Sequence, residues 1–318
     1  MTSPQALFAP CRLCPRHCGV DRLNGEPGIC GETATLRIAS SGPHYGEEPF
    51  LTGTHGSGTI FFSGCPCHCF FCQNWQISAP RASARILDAE SFHALAVDLL
   101  RQGVHNLNFV TPDHVWPHIE QLCRRLRTEG VTVPFLFNSS GYEEASLIAR
   151  QAELMDIFLP DFKFADPDLA RSVMHDEQYP QIALNALQVM VAEKGFLEPF
   201  DPEGRTLARR GVLVRHLLLP GHVENTRRVL ALLRENFGRW LPISLMSQYL
   251  PIPATESRPP FDRAPTAQEY QTVVDYADEL GFENLLIQPL TDTRDFLPDF
   301  TRDTPFPGNL RPPASPPF

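Results

Sequence analysis

From residue 57 onward, short apolar runs alternate with amphipathic stretches of helical length, and that alternation leaves few folds open. The run Gly58-Thr-Ile-Phe-Phe-Ser63 predicts a strand ending at Gly64. Residues 90–102 carry Phe92, Leu95, Ala96, Leu99 and Leu100 at the spacing of one helix face. Further strands are predicted at 107–110, 133–137, 156–159, 212–218, 243–249 and 284–288. Helices are predicted between them at 114–127, 143–151, 167–174, 181–192, 225–236 and 266–280. Strands separated by helices imply an α/β fold with parallel pairing and crossover connections. A barrel, complete or partial, fits this count better than the two domains that 318 residues would suggest.

Cysteine placement points to chemistry. Eight of the nine cysteines fall within the first 72 residues, and Cys123 alone lies elsewhere, inside a predicted helix where a small buried residue fits. The N-terminus has neither the basic nor the apolar part of a signal peptide, and no apolar run nears the roughly 18 residues of a membrane helix. The chain therefore reads as soluble and cytoplasmic, with no membrane partner. In an unsecreted chain of this size, clustered thiols point to metal rather than to disulfides. Twenty-seven basic against 37 acidic residues, a net charge of −10, argue against a general nucleic-acid surface.

Two constellations result. Cys65, Cys69 and Cys72 form C-x3-C-x2-C directly after the first strand of the series. Three thiolates can hold one side of a cubane iron–sulfur cluster and leave one iron open for chemistry. Phe70, Phe71 and Trp75 are expected to wall that site with apolar surface. Tetrahedral zinc is the competing reading, because Cys67 and His68 lie inside the motif. Cys11, Cys14, Cys18 and Cys30 form C-x2-C-x3-C-x11-C, which can close a zinc site or ligate an auxiliary cluster. His17 beside them is expected to face solvent.

In α/β barrels, chemistry sits at the C-terminal strand ends. Polar residues collect there in this chain: Asn108 and Thr111, Asn138 and Ser139, Asp161 and Lys163, Arg215 and His216, Ser247 and Gln248. Residues 304–318 hold too many prolines for a regular element and read as an extended strap without chemistry.

The segment Gly64-Cys-Pro-Cys-His-Cys-Phe-Phe-Cys-Gln-Asn-Trp75 resembles the cluster loop of radical S-adenosylmethionine enzymes. Cys11-Arg-Leu-Cys-Pro-Arg-His-Cys-Gly-Val20, Gly46-Glu-Glu-Pro49, Asn138-Ser-Ser-Gly-Tyr-Glu143 and Leu159-Pro-Asp-Phe-Lys163 narrow the resemblance to one subgroup. It is the uncharacterised group similar to pyruvate formate-lyase activating enzymes, and the likeness spans roughly residues 10 to 290. It implies a partial (β/α) barrel over residues 56–290, a cysteine-rich metal-binding extension over 1–55 and a proline-rich tail over 291–318. It implies a 4Fe–4S cluster on Cys65, Cys69 and Cys72, with S-adenosylmethionine on the open iron. A 5′-deoxyadenosyl radical would then take hydrogen from a protein or peptide substrate, as in a glycyl-radical activase. Asn108, Thr111, Asp161, Lys163 and Arg215 would contact the cofactor, and the electron would come from a reductant such as flavodoxin or ferredoxin. The second strand departs from the superfamily's Gly-Gly-Glu signature, reading Asn106-Leu-Asn-Phe-Val-Thr-Pro112, and Cys67 stands where the loop usually has another residue. The alternatives are radical modification of a small molecule, or a non-enzymatic iron–sulfur or zinc protein that carries electrons or serves as a scaffold.

Overall fold

The computed structural model describes residues 3–80, 82–290 and 294–306. The first elements are β1 (Arg37–His44), α1 (Pro49–Thr52), β2 (Ser57–Phe62), α2 (Trp75–Ser78), β3 (Arg85–Ile86) and α3 (Ala89–Arg101). Then come β4 (Leu107–Val110), α4 (Trp116–Thr128), β5 (Phe135–Ser139), α5 (Ala145–Ala152), β6 (Ile157–Pro160), α6 (Pro167–Met174) and α7 (Tyr179–Lys194). The series ends with β7 (Gly211–Val212), β8 (Val214–Leu217), α8 (Val223–Phe237), β9 (Ile243–Met246), α9 (Ala267–Glu279) and β10 (Leu285–Ile287).

The molecule is a mixed α/β fold on a parallel sheet. β2, β4, β5, β6 and β7 pair in parallel, and β8, β9 and β10 form a second parallel ladder. The ladders share one curved surface because the chain bends at Leu213 without leaving the sheet. Leu213 donates its N–H to Phe158 O at 3.0 Å, and Phe162 donates to Arg215 O at 2.7 Å. Among the described residues β10 pairs with β9 alone and β1 with β3 forms the opposite edge, so the sheet stays open.

Central strands of a parallel sheet are covered on both faces and read as continuous apolar runs. β2 and β6 are buried at every position, and Phe109, Phe135, Phe137 and Phe158 have no exposure. Trp116 of α4 meets Phe137 at 5.9 Å, and Phe137 meets Phe158 at 5.6 Å. Each such ring removed from water contributes about 2–3 kcal/mol. The helices begin where their caps put them. Asp88 accepts from Ser91 N–H before α3, and Thr266 and Glu269 exchange hydrogen bonds before α9.

Two strands, β1 and β3, were not foreseen. β1 runs antiparallel to β2, and β3 adds to its first two residues. The segment before β1 packs on the main core through Phe8, Cys11 and Leu13. Arg22, 1% exposed, pegs it there, donating to His114 O at 2.6 Å and Thr33 O at 2.7 Å.

Candidate active site

A cavity of about 460 Å³ opens at the C-terminal ends of the parallel strands. Cys65, Cys69 and Cys72 line it together with Thr111, Asp161, Lys163 and Arg215. Residues separated by up to 150 positions are thus brought to one volume, because Cys65, Thr111 and Asp161 follow β2, β4 and β6 of one parallel sheet and Arg215 lies near the start of β8, bridged to Asp161.

The loop after β2 is shaped from beneath. Gly64 has φ +78°, and a Cβ there would lie 2.6 Å from Cys30 O. Only glycine allows that approach. Beside it, Cys65 N–H donates to Cys30 O at 3.3 Å, and His68 Nε2 lies 2.6 Å from Ile29 O. The two cysteine constellations are therefore neighbours.

Burial raises the Cys72 thiol above its ordinary value. The hydrogen bond with Cys67 is the largest of the effects that raise Cys65, followed by burial. These thiols are protonated without metal, so binding an ion or cluster must displace their protons. Three soft sulfur donors on one wall, with the rest of the cavity open beside them, fit a thiolate-held iron–sulfur group. Cys67 also lines the cavity, and its thiol donates to Ser140 Oγ at 3.1 Å. Phe71 is buried in the wall, whereas Trp75 is 44% exposed on α2 and stands outside it. The expected aromatic wall keeps only Phe71: α2 turns Trp75 toward solvent, and Phe70 packs on Phe261 at 5.0 Å outside the lining.

The cavity's charged groups are paired. Lys163 Nζ donates to Asp161, and Asp161 with the neighbouring tyrosine and cysteine outweighs burial to keep the ammonium charged. Arg215 is gripped by Glu47 and Glu48, with Nε donating to Glu48 Oε1 at 2.9 Å. Burial opposes the Glu48 charge, but Arg215 overrides it and holds the carboxyl below its usual range. These two glutamates precede α1 and were given no role by sequence reasoning. The signal was present in Gly46-Glu-Glu-Pro49, where a proline helix start fixes both side chains.

Asn108 departs from expectation. Its side chain is fully buried off the cavity and donates to Glu47 Oε1 at 2.9 Å and Ser57 Oγ at 3.2 Å. It supports Glu47 from behind because residue 108 is inside β4, not at its end. Thr111, one residue beyond β4, does face the cavity. Its φ of +51° is an outlier for a β-branched residue, held by its N–H to Asn138 O at 2.8 Å. Asn138, Ser139 and Gln248 line the same volume. His216 points away into the core, with Nδ1 2.6 Å from Phe162 O and Nε2 2.9 Å from Thr226 Oγ1. Ser247 donates to the Gln288 and Pro289 carbonyls instead.

Beneath the cavity, the buried carboxyls of Asp113 and Glu143 face one another. Burial pushes Asp113 up to about 6, and burial with the Asp113 charge raises Glu143 further. No pattern in the sequence ties position 113 to 143.

In the N-terminal group, Cys11, Cys14 and Cys30 are buried and Cys18 is half-buried. A Cβ on Gly28 would lie 3.3 Å from Cys30 Sγ and 3.4 Å from Cys18 Sγ, so both sulfurs close over this glycine. Burial raises Cys14 strongly and Cys30 to about 11. Among the described residues, no trio of cysteine, histidine, aspartate or glutamate is gathered around a single-ion point. His17 is half-exposed and lies 2.5 Å from Glu144, and Cys123 is fully buried in α4, both as expected. The strap differs: Phe306 lines the cavity, while residues 307–318 of the expected tail lie outside the described residues. No described helix is long and apolar enough to cross a membrane.

No family model matches the chain. An uncharacterized protein of Methanocaldococcus jannaschii is 25% identical over 293 residues, covering 87% of this chain and 77% of that one. Among solved structures, methylornithine synthase aligns over 73% of this chain with a TM-score of 0.50 and 16% identity. This chain spans 63% of that enzyme's length. Streptococcus suis SuiB, in a structure with S-adenosylmethionine bound, gives a TM-score of 0.44 at 11% identity, over 71% of this chain and 48% of its own. The α/β architecture is similar to that of methylornithine synthase.

Proposed function

We propose that this chain is a radical S-adenosylmethionine enzyme acting on a protein or peptide. The observation that carries the reading is the convergence of Cys65, Cys69 and Cys72 with Thr111, Asp161, Lys163 and Arg215 around one cavity at the strand ends. A thiolate-held 4Fe–4S cluster with S-adenosylmethionine supplies one-electron cleavage of the sulfonium to a 5′-deoxyadenosyl radical that takes hydrogen from substrate.

In this reading Cys65, Cys69 and Cys72 hold the cluster. Thr111 presents its strained backbone to the cofactor, and Asp161 holds the Lys163 ammonium in place for an anionic group. Arg215 holds Glu47 and Glu48 in place and keeps the Glu48 carboxyl charged, a positioning role, because both carboxylates already occupy its guanidinium. Phe61, Phe71, Phe296 and Phe306 exclude water from the open side. Cys11, Cys14, Cys18 and Cys30 hold a second centre, zinc or an auxiliary cluster, in the 1–55 extension. The 56–290 unit carries the chemistry, a flavodoxin or ferredoxin supplies the electron, and a glycyl-radical enzyme is the partner the motif resemblance favours.

The test is product analysis. Anaerobically reconstituted, reduced wild type is expected to release 5′-deoxyadenosine and methionine, and Cys69→Ala neither. Undiminished cleavage by Cys69→Ala contradicts the reading. A small-molecule substrate is the second reading, favoured by a cavity within the ~300–1,000 Å³ of single-ligand sites. The cell fraction that accelerates turnover separates the two: it is retained on dialysis for a protein or peptide and lost for a small molecule.

A further inference from the structure

We propose that the aromatic strap of residues 294–306 is the wall that peptide substrate displaces to reach the cavity, with Phe296 and Phe306 as specificity-determining residues. This rests on the peptide-modifying reading above. Among the described residues β10 pairs with β9 alone, and the strap, which follows β10 in the chain, packs on β1 and β2. Phe306 packs on Phe61 of β2 at 5.7 Å and on His44 of β1 at 4.3 Å. Phe300 packs on Phe61 at 5.4 Å, and its N–H donates to Gln76 Oε1 at 2.8 Å. Gln76 in turn donates to Asp299 Oδ1 at 3.3 Å, tying the strap to α2 just beyond Cys72. Phe296 and Phe306 both face the cavity.

Two facts make this the wall that yields. The sheet walls of the cavity are strands in hydrogen-bonded ladders, whereas the strap is held by ring contacts and a few side-chain bonds. Segments held this way open at low free energy while the ladders stay closed. Size is the second fact. About 460 Å³ is room for one small ligand, at the lower part of the ~300–1,000 Å³ range. A nucleoside cofactor fills such a volume, so a peptide segment enters only when a wall moves. The surface it then meets is Phe61 and the rings of the strap, which select an apolar side chain beside the reacting position.

Thiol labelling of the metal-free chain tests this without any cofactor. Cys69 and Cys72, half-buried in the lining, report on the cavity, and the buried Cys11 and Cys14 report on general unfolding. In wild type, iodoacetamide is expected to reach Cys69 and Cys72 while a polyethylene-glycol maleimide reaches them slowly. Phe306→Ala, and separately Gln76→Ala, are expected to speed the bulky reagent about tenfold at those two thiols, the factor one aromatic contact or one net hydrogen bond supplies. Cys11 and Cys14 keep their wild-type rates. Equal bulky labelling in wild type and both variants overturns the proposal, as does acceleration at all four thiols together. If the variants open the cavity but wild type forms no 5′-deoxyadenosine, the wall stands and the radical reading falls.

Discussion

Arg215 Nε donates to Glu48 Oε1 at 2.9 Å, locking the start of β8 to the acidic pair in front of α1. The guanidinium also serves Glu47, so one cation faces two carboxylates, Glu48 buried and Glu47 half-buried. Arg215→Met leaves both without a counter-charge and is expected to cost about 3–5 kcal/mol. Glu48→Gln keeps the shape and leaves Glu47 in place, at about 1–3 kcal/mol. Urea unfolding of the two variants checks the order; equal costs would contradict the division of roles.

Gly141 sits in the turn that follows β5, with φ +72° and its Cβ position 1.9 Å from Asp161 O. Any side chain there pushes the Asp161–Lys163 segment out of the cavity. Gly141→Ala is expected to destabilise by at least about 2 kcal/mol, from left-handed strain and overpacking together. A melting temperature equal to wild type would show that the turn and the Asp161 segment can separate freely.

Acid should weaken the fold through His216. Burial, opposed by the bond to Phe162 O, pushes its pKa down to about 4 from an ordinary 6.5. Between those values the unfolded chain binds a proton that the folded chain refuses, so stability falls as pH falls, by about 3 kcal/mol for this group. Above pH 6.5 the group adds no pH dependence. Asp113 works oppositely: raised to about 6, it favours the folded state as pH falls from 6 toward 4. The informative quantity is therefore the difference between wild type and His216→Asn, which should shrink from pH 7 to pH 4.5. A constant difference across that range would exclude a neutral buried imidazole.

If the N-terminal thiols hold a second centre, Cys14→Ser loses zinc or iron in proportion to one site. The Cys65 loop keeps its own iron, although Cys65 N–H meets Cys30 O across the junction. Metal analysis of purified Cys14→Ser and Cys69→Ala separates the two sites. Unchanged metal content in Cys14→Ser would assign all metal to the cavity.

The parallel strands and their helices were legible because each buried strand is an apolar run bounded by polar ends, a pattern that needs no tertiary knowledge. Thr111, Asp161 and Lys163 were legible for the same reason, since a strand's last residues point to the cavity. β1 was hidden by Gly42-Pro43, and its pairing depends on β2, not on local propensity. Asn108 was misplaced because position in a strand decides facing, and one residue's shift turns a side chain away. The Glu47–Arg215, Asp113–Glu143 and Phe61–Phe306 relationships join distant positions, and chemistry at that range appears only once the sheet has formed.

The most direct test is an anaerobic EPR spectrum of the reduced, reconstituted protein with and without S-adenosylmethionine, alongside iron, sulfide and zinc counts. The radical reading requires a 4Fe–4S signal that the cofactor shifts, abolished in Cys69→Ala. A zinc-only protein, or an iron signal indifferent to S-adenosylmethionine after full reconstitution, would contradict it and leave a structural or electron-carrying metalloprotein.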